Sequence, residues 1–149
     1  MINRFNIRVY FLLIVNNRVL VADEIIKKQP CVKFPGGGLE FGEGTIDCCI
    51  REAMEELNQP IEVGGHFYTT EIFQQSAFRE TDQVVSIYYF AKMLGEQQFA
   101  TSNQRFNFKQ RENDEEAFRW VEISALKEEP FTFPIDKMVA EKLSKYHQE

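Results

Sequence analysis

The segment between Gly36 and Pro60 limits the fold of this 149-residue chain more than any other part of it. It begins with three consecutive glycines, where a helix cannot continue and a glycine-rich loop is expected. From Thr45 its apolar residues recur with helical spacing. Asn58 suits the left-handed cap that ends many helices, and a proline two residues later stops one. The spacing therefore predicts a helix from Thr45 to Leu57 whose apolar side is formed by Ile46, Cys49, Ile50, Ala53 and Leu57.

The same predicted helix carries three carboxylates, Glu52, Glu55 and Glu56, within an arc of roughly 100°. Like charges three or four residues apart destabilise a helix by roughly 0.2–0.5 kcal/mol per pair. These acids also lie near the negative end of the helix dipole. A sequence selected for helix stability alone would avoid this arrangement, so the pattern indicates that a cation binds to the acidic face.

Composition limits the classes of function. Hydrophobic residues make up 44% and charged residues 27% of the chain, which is typical of a single folded domain over residues 1–149. A net charge of −6 argues against polymeric nucleic acid and anionic lipid as partners, because both need a basic surface. The apolar run Val9–Val15 is too short to span a membrane and predicts a buried strand. Three cysteines without CxxC spacing indicate a reducing, cytoplasmic location.

The remaining periodicity predicts a sheet and a second helix. Phe5–Val15 and Arg18–Glu24 are separated by Asn16-Asn17, which predicts a β-hairpin. Other segments with strand character are Val32–Phe34, Ile61–Phe67, the region around Glu71–Gln75, Gln83–Leu94 and Ala117–Val121. Residues 100–116 read as a long loop. Pro134 suits the first turn of a closing helix, whose apolar face is Ile135, Met138, Val139, Leu143 and Tyr146. Hairpins with helices between and after them indicate an α/β fold with a mixed sheet covered on both faces.

The glycines and the acids share one fixed spacing. From Gly37 the chain reads Gly, five residues, Glu43, seven residues and then REAMEELNQ. This segment resembles the Nudix box of the Nudix hydrolases, GX5EX7REUXEEXGU, in which U is a bulky aliphatic residue. The positions that match are Gly37, Glu43, Arg51, Glu52, Glu55 and Glu56. Asn58 and Gln59 depart from the final glycine and aliphatic residue of the pattern, and neither change affects the acids. The resemblance implies a Nudix-type α/β/α sandwich with a mixed β-sheet.

The resemblance also implies roles for the residues of the box. Glu52 and Glu56 would bind Mg²⁺ (or Mn²⁺), with the carbonyl of Gly36 as a further candidate ligand. Glu55 would be a metal ligand or the base that orients water. Arg51 would pair with a carboxylate of the box, for which Glu43 is the first candidate, and so hold the helix in register. Hard oxygen ligands shared with substrate phosphates are what Mg²⁺ prefers, so the chemistry of these residues agrees with the resemblance.

Candidate residues outside the box are less specific. In the family the base can come from a later loop, and the sequence does not decide between Glu112, Glu115 and Glu116. The candidate substrate-binding residues are Arg8, Phe106, Phe108 and Glu115. The two phenylalanines would stack on a base or close over the site, although packing beneath a loop would use the same residues. Arg8 would meet a phosphate or a carboxylate.

These features predict a Nudix pyrophosphohydrolase that acts on a nucleoside diphosphate linked to another moiety, such as a nucleoside triphosphate or a nucleotide sugar. Its partner would be a small nucleotide-type molecule, and the sequence leaves a homodimer open. The segment Ile72–Ala77 lacks the proline and tyrosine found in the family's ADP-ribose and dinucleoside polyphosphate hydrolases, which weakens both assignments. Two other classes stay open: a nucleotide-binding sensor without turnover, and a prenyl-diphosphate isomerase, which would need a Cys and Glu pair outside the box.

Overall fold

The computed structural model describes residues 1–146. His147, which has no metal-ligand partner at useful spacing in the sequence, lies outside the described residues. The elements, in chain order, are β1 (Arg4–Val15), β2 (Arg18–Ile26), β3 (Gln29–Lys33), β4 (Gly36–Gly38), α1 (Thr45–Leu57), β5 (Ile61–Thr69), β6 (Asp82–Met93), β7 (Glu116–Glu122), a 3₁₀ helix (Ile123–Glu128) and α2 (Pro134–Tyr146). The chain divides into two compact units: a first unit of Met1–Leu13 and Gly36–Gln98, and a second unit of Ile14–Pro35 and the chain from Phe99 onward.

The first unit contains a mixed sheet built around β1. β1 pairs with β6 in parallel, from Arg4 opposite Asp82 to Leu13 opposite Ala91. Its other edge pairs with β4 antiparallel, and Tyr10 lies opposite Gly36. β5 pairs with β6 antiparallel, with two register shifts along its length. The apolar run Val9–Val15 is confirmed as part of a buried strand, because its residues from Val9 to Leu13 are at most 8% exposed.

Helix α1 has the predicted bounds, Thr45 to Leu57, and ends as expected. Asn58 adopts the left-handed conformation with φ of 52°, and its backbone N–H donates to the carbonyls of Ala53 and Met54. The predicted apolar side is wrong in part, because Ile46 and Ile50 are 47% and 39% exposed. The side chains that the helix buries are Cys48, Cys49, Glu52, Ala53 and Leu57. The buried face is therefore rotated toward Glu52.

In the second unit β2 lies between β3 and β7, and both pairings are antiparallel. The end of β1 joins β2 through the predicted hairpin, where Asn16 and Asn17 have φ of 51° and 62°. Such a turn requires positive φ at both central residues, and Asn tolerates it. The next turn, between β2 and β3, has the same backbone with Lys27 and Lys28 at φ of 49° and 67°.

Helix α2 begins at Pro134 as predicted and buries Ile135, Val139 and Leu143. Tyr146, which the sequence places on the apolar face, is 59% exposed at the end of the helix. The stacked rings of Phe34 and Phe131, with centroids 4.6 Å apart, also belong to the core of this unit. The 3₁₀ helix after β7 has no counterpart in the sequence prediction.

Two further predictions about secondary structure are wrong. The region around Glu71–Gln75 is not a strand and makes only an isolated bridge between Gln75 and Gln83. The glycine run was expected to be a loop, but Gly36–Gly38 forms the short strand β4. Within residues 1–146, no helix is both long enough and apolar enough to cross a membrane.

Candidate functional site

Arg51 lies at the centre of the acidic cluster in the first unit. Its Nη2 and Nε donate to the two carboxylate oxygens of Glu43 at 2.7 and 3.0 Å. Its Nη1 donates to Glu52 at 2.8 Å and to Glu55, one helical turn away, at 3.2 Å. The structure therefore shows the pairing of Arg51 with Glu43 that was expected, and it adds two carboxylates of the helix to the same guanidinium. We call these residues, with Glu40, the Arg51 cluster.

The loop between β4 and α1 completes the cluster. The backbone carbonyl of Gly38 accepts a hydrogen bond from Arg51 Nη2 at 3.1 Å. The backbone N–H of Glu40 donates to Glu43 at 2.9 Å, and the Glu40 carboxylate lies 3.4 Å from Arg51 Nε. Hydrogen bonds from Arg51 and from the Glu40 backbone lower the pKa of Glu43 to about 2. The same pairing raises the pKa of Arg51, so both groups are charged at neutral pH.

The glycines of β4 are explained by what lies against them. A Cβ atom at Gly37 would be 2.6 Å from the carboxylate atoms of Glu52, closer than real contacts allow. A Cβ at Gly36, where φ is 151°, would be 2.2 Å from the carbonyl oxygen of Val9. At Gly36 only glycine lets β4 approach the β1 backbone this closely, and at Gly37 a side chain would displace the Glu52 carboxylate from its place. The glycine run therefore holds backbone polar groups beside Glu52.

The donor set of this region fits a hard divalent cation in its chemistry. Glu52 is 9% exposed, and its carboxylate lies beside Gly37 of β4. Glu56, one helical turn further on, is half-buried. Among residues 1–146, no group of three or more His, Cys, Asp or Glu side chains is arranged to hold a metal ion. Mg²⁺ sites commonly need only one or two carboxylate side chains, because a backbone carbonyl, water and substrate phosphate supply the other oxygen ligands.

The cysteines next to the cluster are not poised for chemistry. Cys48 Sγ lies 3.6 Å from the Gly38 carbonyl, and Cys49 Sγ lies 3.8 Å from the carbonyl of Tyr10. Burial raises the pKa of both thiols to about 12. The pKa of Cys31, in the second unit, is also raised by burial. These thiols stay protonated at neutral pH, and a protonated thiol is a weak nucleophile.

Arg8 lies beside the glycine strand. It is opposite Gly38 in the pairing of β1 with β4, and its Nε donates to the Tyr10 hydroxyl at 2.9 Å. Its guanidinium also lies over the Tyr10 ring, 5.8 Å from the centroid. The first unit thus brings together Arg8, Gly36, Gly37 and the Arg51 cluster. A role for Arg8 in substrate binding stays a prediction.

The other candidate residues belong to the second unit. The rings of Phe106 and Phe108 are stacked, with centroids 6.1 Å apart. The carboxylate of Glu115 accepts hydrogen bonds from the backbone N–H groups of Lys109, Gln110 and Glu112. Although desolvation opposes the shift, these bonds lower the pKa of Glu115. Glu115 therefore organises its own loop, and its predicted contact with substrate remains untested, as do those of the two phenylalanines.

Sequence analysis missed a buried charge network in the second unit. Arg119 donates to both carboxylate oxygens of Asp23 at 2.7 Å and to Glu129 at 2.9 Å. Arg105 donates to the same Glu129 at 3.1 Å, and the Phe106 backbone N–H donates to Asp23 at 3.0 Å. Asp23 is fully buried and Arg119 is 5% exposed. Asp23 and Arg119 are 96 residues apart, so no local pattern signals their contact.

The mixed sheet, the glycine strand and the acidic helix that follows it define an α/β protein of the Nudix class. The family model described as NUDIX domain matches residues 4–142, and the chain therefore belongs to the Nudix family. The prediction of a Nudix hydrolase is confirmed at the level of the family, whose members generally hydrolyse pyrophosphate bonds. No curated protein matches the chain.

Solved structures agree on the fold. The E. coli ORF135 protein superposes with a TM-score of 0.74 at 16% identity, covering 97% of this chain and 91% of the other. A MutT Nudix hydrolase from Burkholderia pseudomallei gives 0.69 at 18% identity, covering 93% and 98%. A UDP-X diphosphatase gives 0.63 at 14% identity, covering 99% and 66%. The predicted Nudix-type α/β fold with a mixed sheet is confirmed.

Proposed function

We propose that this chain uses Mg²⁺ (or Mn²⁺) to hydrolyse a pyrophosphate bond in a nucleoside diphosphate linked to another moiety. The observation that carries this proposal is the Arg51 cluster, in which one guanidinium faces four carboxylates beside a strand made of glycine. The family generally acts on small nucleotide-type substrates. The name of one structural neighbour, a UDP-X diphosphatase, adds support for a nucleotide as substrate.

Glu52 and Glu56 would hold the ion, with the Gly36 carbonyl as a further ligand. A bound divalent cation supplies electrostatic stabilisation of the charge on the phosphate oxygens. Arg51 and Glu43 act as positioning residues, because their bidentate pair fixes the rotation of the helix and the orientation of the Glu52 carboxylate. The close contact between Glu52 and the Gly37 backbone restricts the same carboxylate from the other side.

Glu55 is the first candidate for the group that orients or deprotonates water. Its side chain is 58% exposed, so its carboxylate is accessible to water and to a substrate. The hydrogen bond from Arg51 directs it toward the cluster. Glu112 and Glu116 remain candidates for this role, whereas the carboxylate of Glu115 already accepts three backbone N–H groups. A general base contributes about 10²–10⁴-fold to a rate.

The cysteines count against the prenyl-diphosphate isomerase. That activity would need a reactive Cys and Glu pair outside the box, and all three cysteines of the chain are buried with raised thiol pKa values. We retain the cytoplasmic location as part of the proposal, supported by three thiols that form no disulfide. A single domain over residues 1–149 and a homodimer also remain proposals.

The test is a panel of nucleoside triphosphates, nucleotide sugars and dinucleotides, assayed with Mg²⁺ for release of phosphate, pyrophosphate or a nucleoside monophosphate. We expect one class to be hydrolysed and Glu55→Gln to lower kcat at least about a hundredfold with an unchanged circular dichroism spectrum. Glu62→Gln is the matched control, since Glu62 is equally exposed at 58% but lies on β5, outside the cluster. Nucleotide binding without turnover of any compound would contradict the proposed hydrolase and favour a nucleotide-binding sensor.

Binding of the ion is tested separately from activity. Mn²⁺ in solution gives a strong electron paramagnetic resonance signal that is lost on binding to a protein. We expect the wild type to bind Mn²⁺, and Glu52→Gln combined with Glu56→Gln to bind it at least about tenfold more weakly. Equal binding by the wild type and the double variant would refute the ligand assignment.

A further inference from the structure

The second unit contains a pocket that shares no residue with the Arg51 cluster. It lies where the β2–β3 turn meets the loop before β7, and its lining residues are Ile25, Lys28, Pro30, Arg111, Glu112 and Asn113. Its volume is about 460 Å³. Sites for small molecules range over roughly 300–1,000 Å³, so this pocket could hold more than a single ion. We call it the hairpin pocket.

Two cations line the hairpin pocket without a carboxylate partner. Within residues 1–146, neither Lys28 nor Arg111 takes part in an ion pair, although Glu112 lines the same pocket. Elsewhere in the described chain, Arg51 and Arg119 each contact at least two carboxylates. Arg111 Nη1 donates to the Phe106 carbonyl at 3.5 Å, which leaves its charge without a carboxylate. The pocket is therefore lined by two cations whose charge no carboxylate of the described chain neutralises in an ion pair.

The backbone at these cations is unusual. Lys27, Lys28 and Arg111 have φ of 49°, 67° and 58°, in the left-handed region that long L side chains rarely adopt. The preceding hairpin turn, between β1 and β2, also has positive φ at both central residues, but these are Asn16 and Asn17, which tolerate this conformation. The β2–β3 turn instead places lysine at both central positions. Residues held in disfavoured conformations often mark functional sites, and here they present positive charge.

The pocket is held in shape before any ligand arrives. The Lys28 backbone N–H donates to Asn113 Oδ1 at 2.6 Å, which ties the turn to the loop. The Asp114 backbone N–H donates to the Ile25 carbonyl at 2.7 Å and continues the pairing of β2 with the chain before β7. The Arg111 guanidinium lies 5.6 Å from the centroid of the Phe108 ring. Such preorganisation lowers the entropic cost of binding.

We propose that the hairpin pocket binds a small phosphorylated molecule of mononucleotide size. Its phosphate would contact Lys28 and Arg111, and its apolar part would lie on Ile25 and Pro30. Arginine matches a phosphate with two parallel hydrogen bonds, and lysine adds a point charge. The two cations that carry this proposal have no role in the proposed hydrolase, because neither Lys28 nor Arg111 belongs to the Arg51 cluster. Glu112 is the one lining residue that is also a candidate for the base.

The experiment is an NMR titration of the ¹⁵N-labelled full chain without metal ions. The probes are AMP, inorganic phosphate and adenosine, which separate the contributions of the phosphate and the rest of the molecule. AMP should shift the backbone amides of Lys28 and residues 111–113 and saturate. Inorganic phosphate should bind more weakly at the same amides, and adenosine should leave them unchanged. AMP shifts confined to residues 36–57, or no saturable shift, would overturn the proposal.

Two variants separate charge from folding. Lys28→Asn and Arg111→Asn each remove a cation and introduce a residue that tolerates positive φ, so the melting temperature should not fall. Each should weaken AMP binding about tenfold or more. Glu112→Gln removes the acid from the pocket and should tighten binding. Lys145→Ala is the control, because Lys145 lies on α2 with its own partner, Glu141. Unchanged AMP affinity in both Asn variants would overturn the proposal.

The outcomes also separate this proposal from the proposed hydrolase. Glu55→Gln should abolish turnover and leave the AMP shifts at residues 111–113 intact. Lys28→Asn should weaken those shifts and leave turnover of the nucleotide panel intact. Failure of one result does not require failure of the other, because the two variants change residues in different compact units.

Discussion

The two charge clusters of this protein differ in how their charges are balanced. In the Arg51 cluster a single guanidinium faces Glu40, Glu43, Glu52 and Glu55, and its side chain is 25% exposed. In the buried network, Arg105 and Arg119 face Asp23 and Glu129, so cations and anions are equal in number. A balanced network stabilises one structure. An excess of carboxylates leaves negative charge to be neutralised by something from outside.

The largest expected effect on stability comes from breaking the balanced network. Arg119→Met leaves the fully buried Asp23 carboxylate without its cation, and we expect the free energy of unfolding to fall by about 3–5 kcal/mol. Urea unfolding followed by circular dichroism measures this change. Lys92→Met is the control, since Lys92 is 66% exposed and its partner Glu62 is 58% exposed. An equal fall in the free energy of unfolding in the two variants would contradict the claim that buried charge pairs contribute more than exposed ones.

Addition of a divalent cation should act on the other cluster. At a Mg²⁺ concentration of about 100 times Kd, we expect the free energy of unfolding to rise by about 2.7 kcal/mol, because the ion binds the folded state. The gain should disappear when Glu52→Gln and Glu56→Gln are combined and should persist in Arg119→Met. A gain of the same size in the double Gln variant would place the ion elsewhere.

Removal of the central arginine should cost less than removal of Arg119. In Arg51→Met, Glu40 and Glu55 can reach water, and Glu43 and Glu52 keep side-chain exposures of 15% and 12%, unlike the fully buried Asp23. We therefore expect a loss of about 1–2 kcal/mol in urea unfolding. Saturating Mg²⁺ should recover more stability in Arg51→Met than in the wild type, because the ion then relieves repulsion that the arginine no longer screens. A loss as large as that of Arg119→Met would show that both clusters serve only the fold.

The smallest effect concerns pH. Desolvation opposes the shift, but hydrogen bonds from Arg119 and Arg105 lower the pKa of Glu129 below its usual value of 4.5. A carboxyl whose pKa is lower in the folded state stabilises the protein above the unfolded pKa, and the contribution is lost as pH falls through the folded pKa. Urea unfolding at pH 7 and at pH 3 should therefore differ less in Glu129→Gln than in the wild type. Glu128→Gln, an exposed neighbour, should keep the wild-type difference.

Local patterns in the sequence predicted local structure well. The Asn16–Asn17 turn and the left-handed Asn58 were predictable because each depends on the conformational preference of the residue itself. The resemblance to the Nudix box implied that Arg51 would pair with a carboxylate of the box, with Glu43 as the first candidate, and the structure contains that pair. The apolar side of α1 was predicted less well. Helical periodicity assigned Ile50 to the core, but Ile50 is 39% exposed, and the helix instead buries the Glu52 carboxylate beside Gly37.

Contacts between distant residues left no such signal. The pairing of Asp23 with Arg119 depends on the alignment of β2 with β7, in which position 23 lies opposite Ala117. A charged residue in a predicted strand is assigned to the exposed face unless its partner is known. The partner of Asp23 is 96 residues away in the sequence. The hairpin pocket was not predictable for the same reason, since its lining residues come from two distant segments, residues 25–30 and 111–113. A single sequence gives the chemistry of such residues but not their neighbours.

The parallel pairing of β1 with β6 has a consequence for how the chain folds as it is made. Arg4 finds its partner at Asp82 and Leu13 at Ala91, so the first strand leaves the ribosome long before the strand that pairs with it along most of its length. Contacts that close long loops form late and slow folding. A nascent chain that stops before Asp82 exposes one edge of its most apolar strand, and chaperones that recognise unpaired strands should bind it most strongly during that interval.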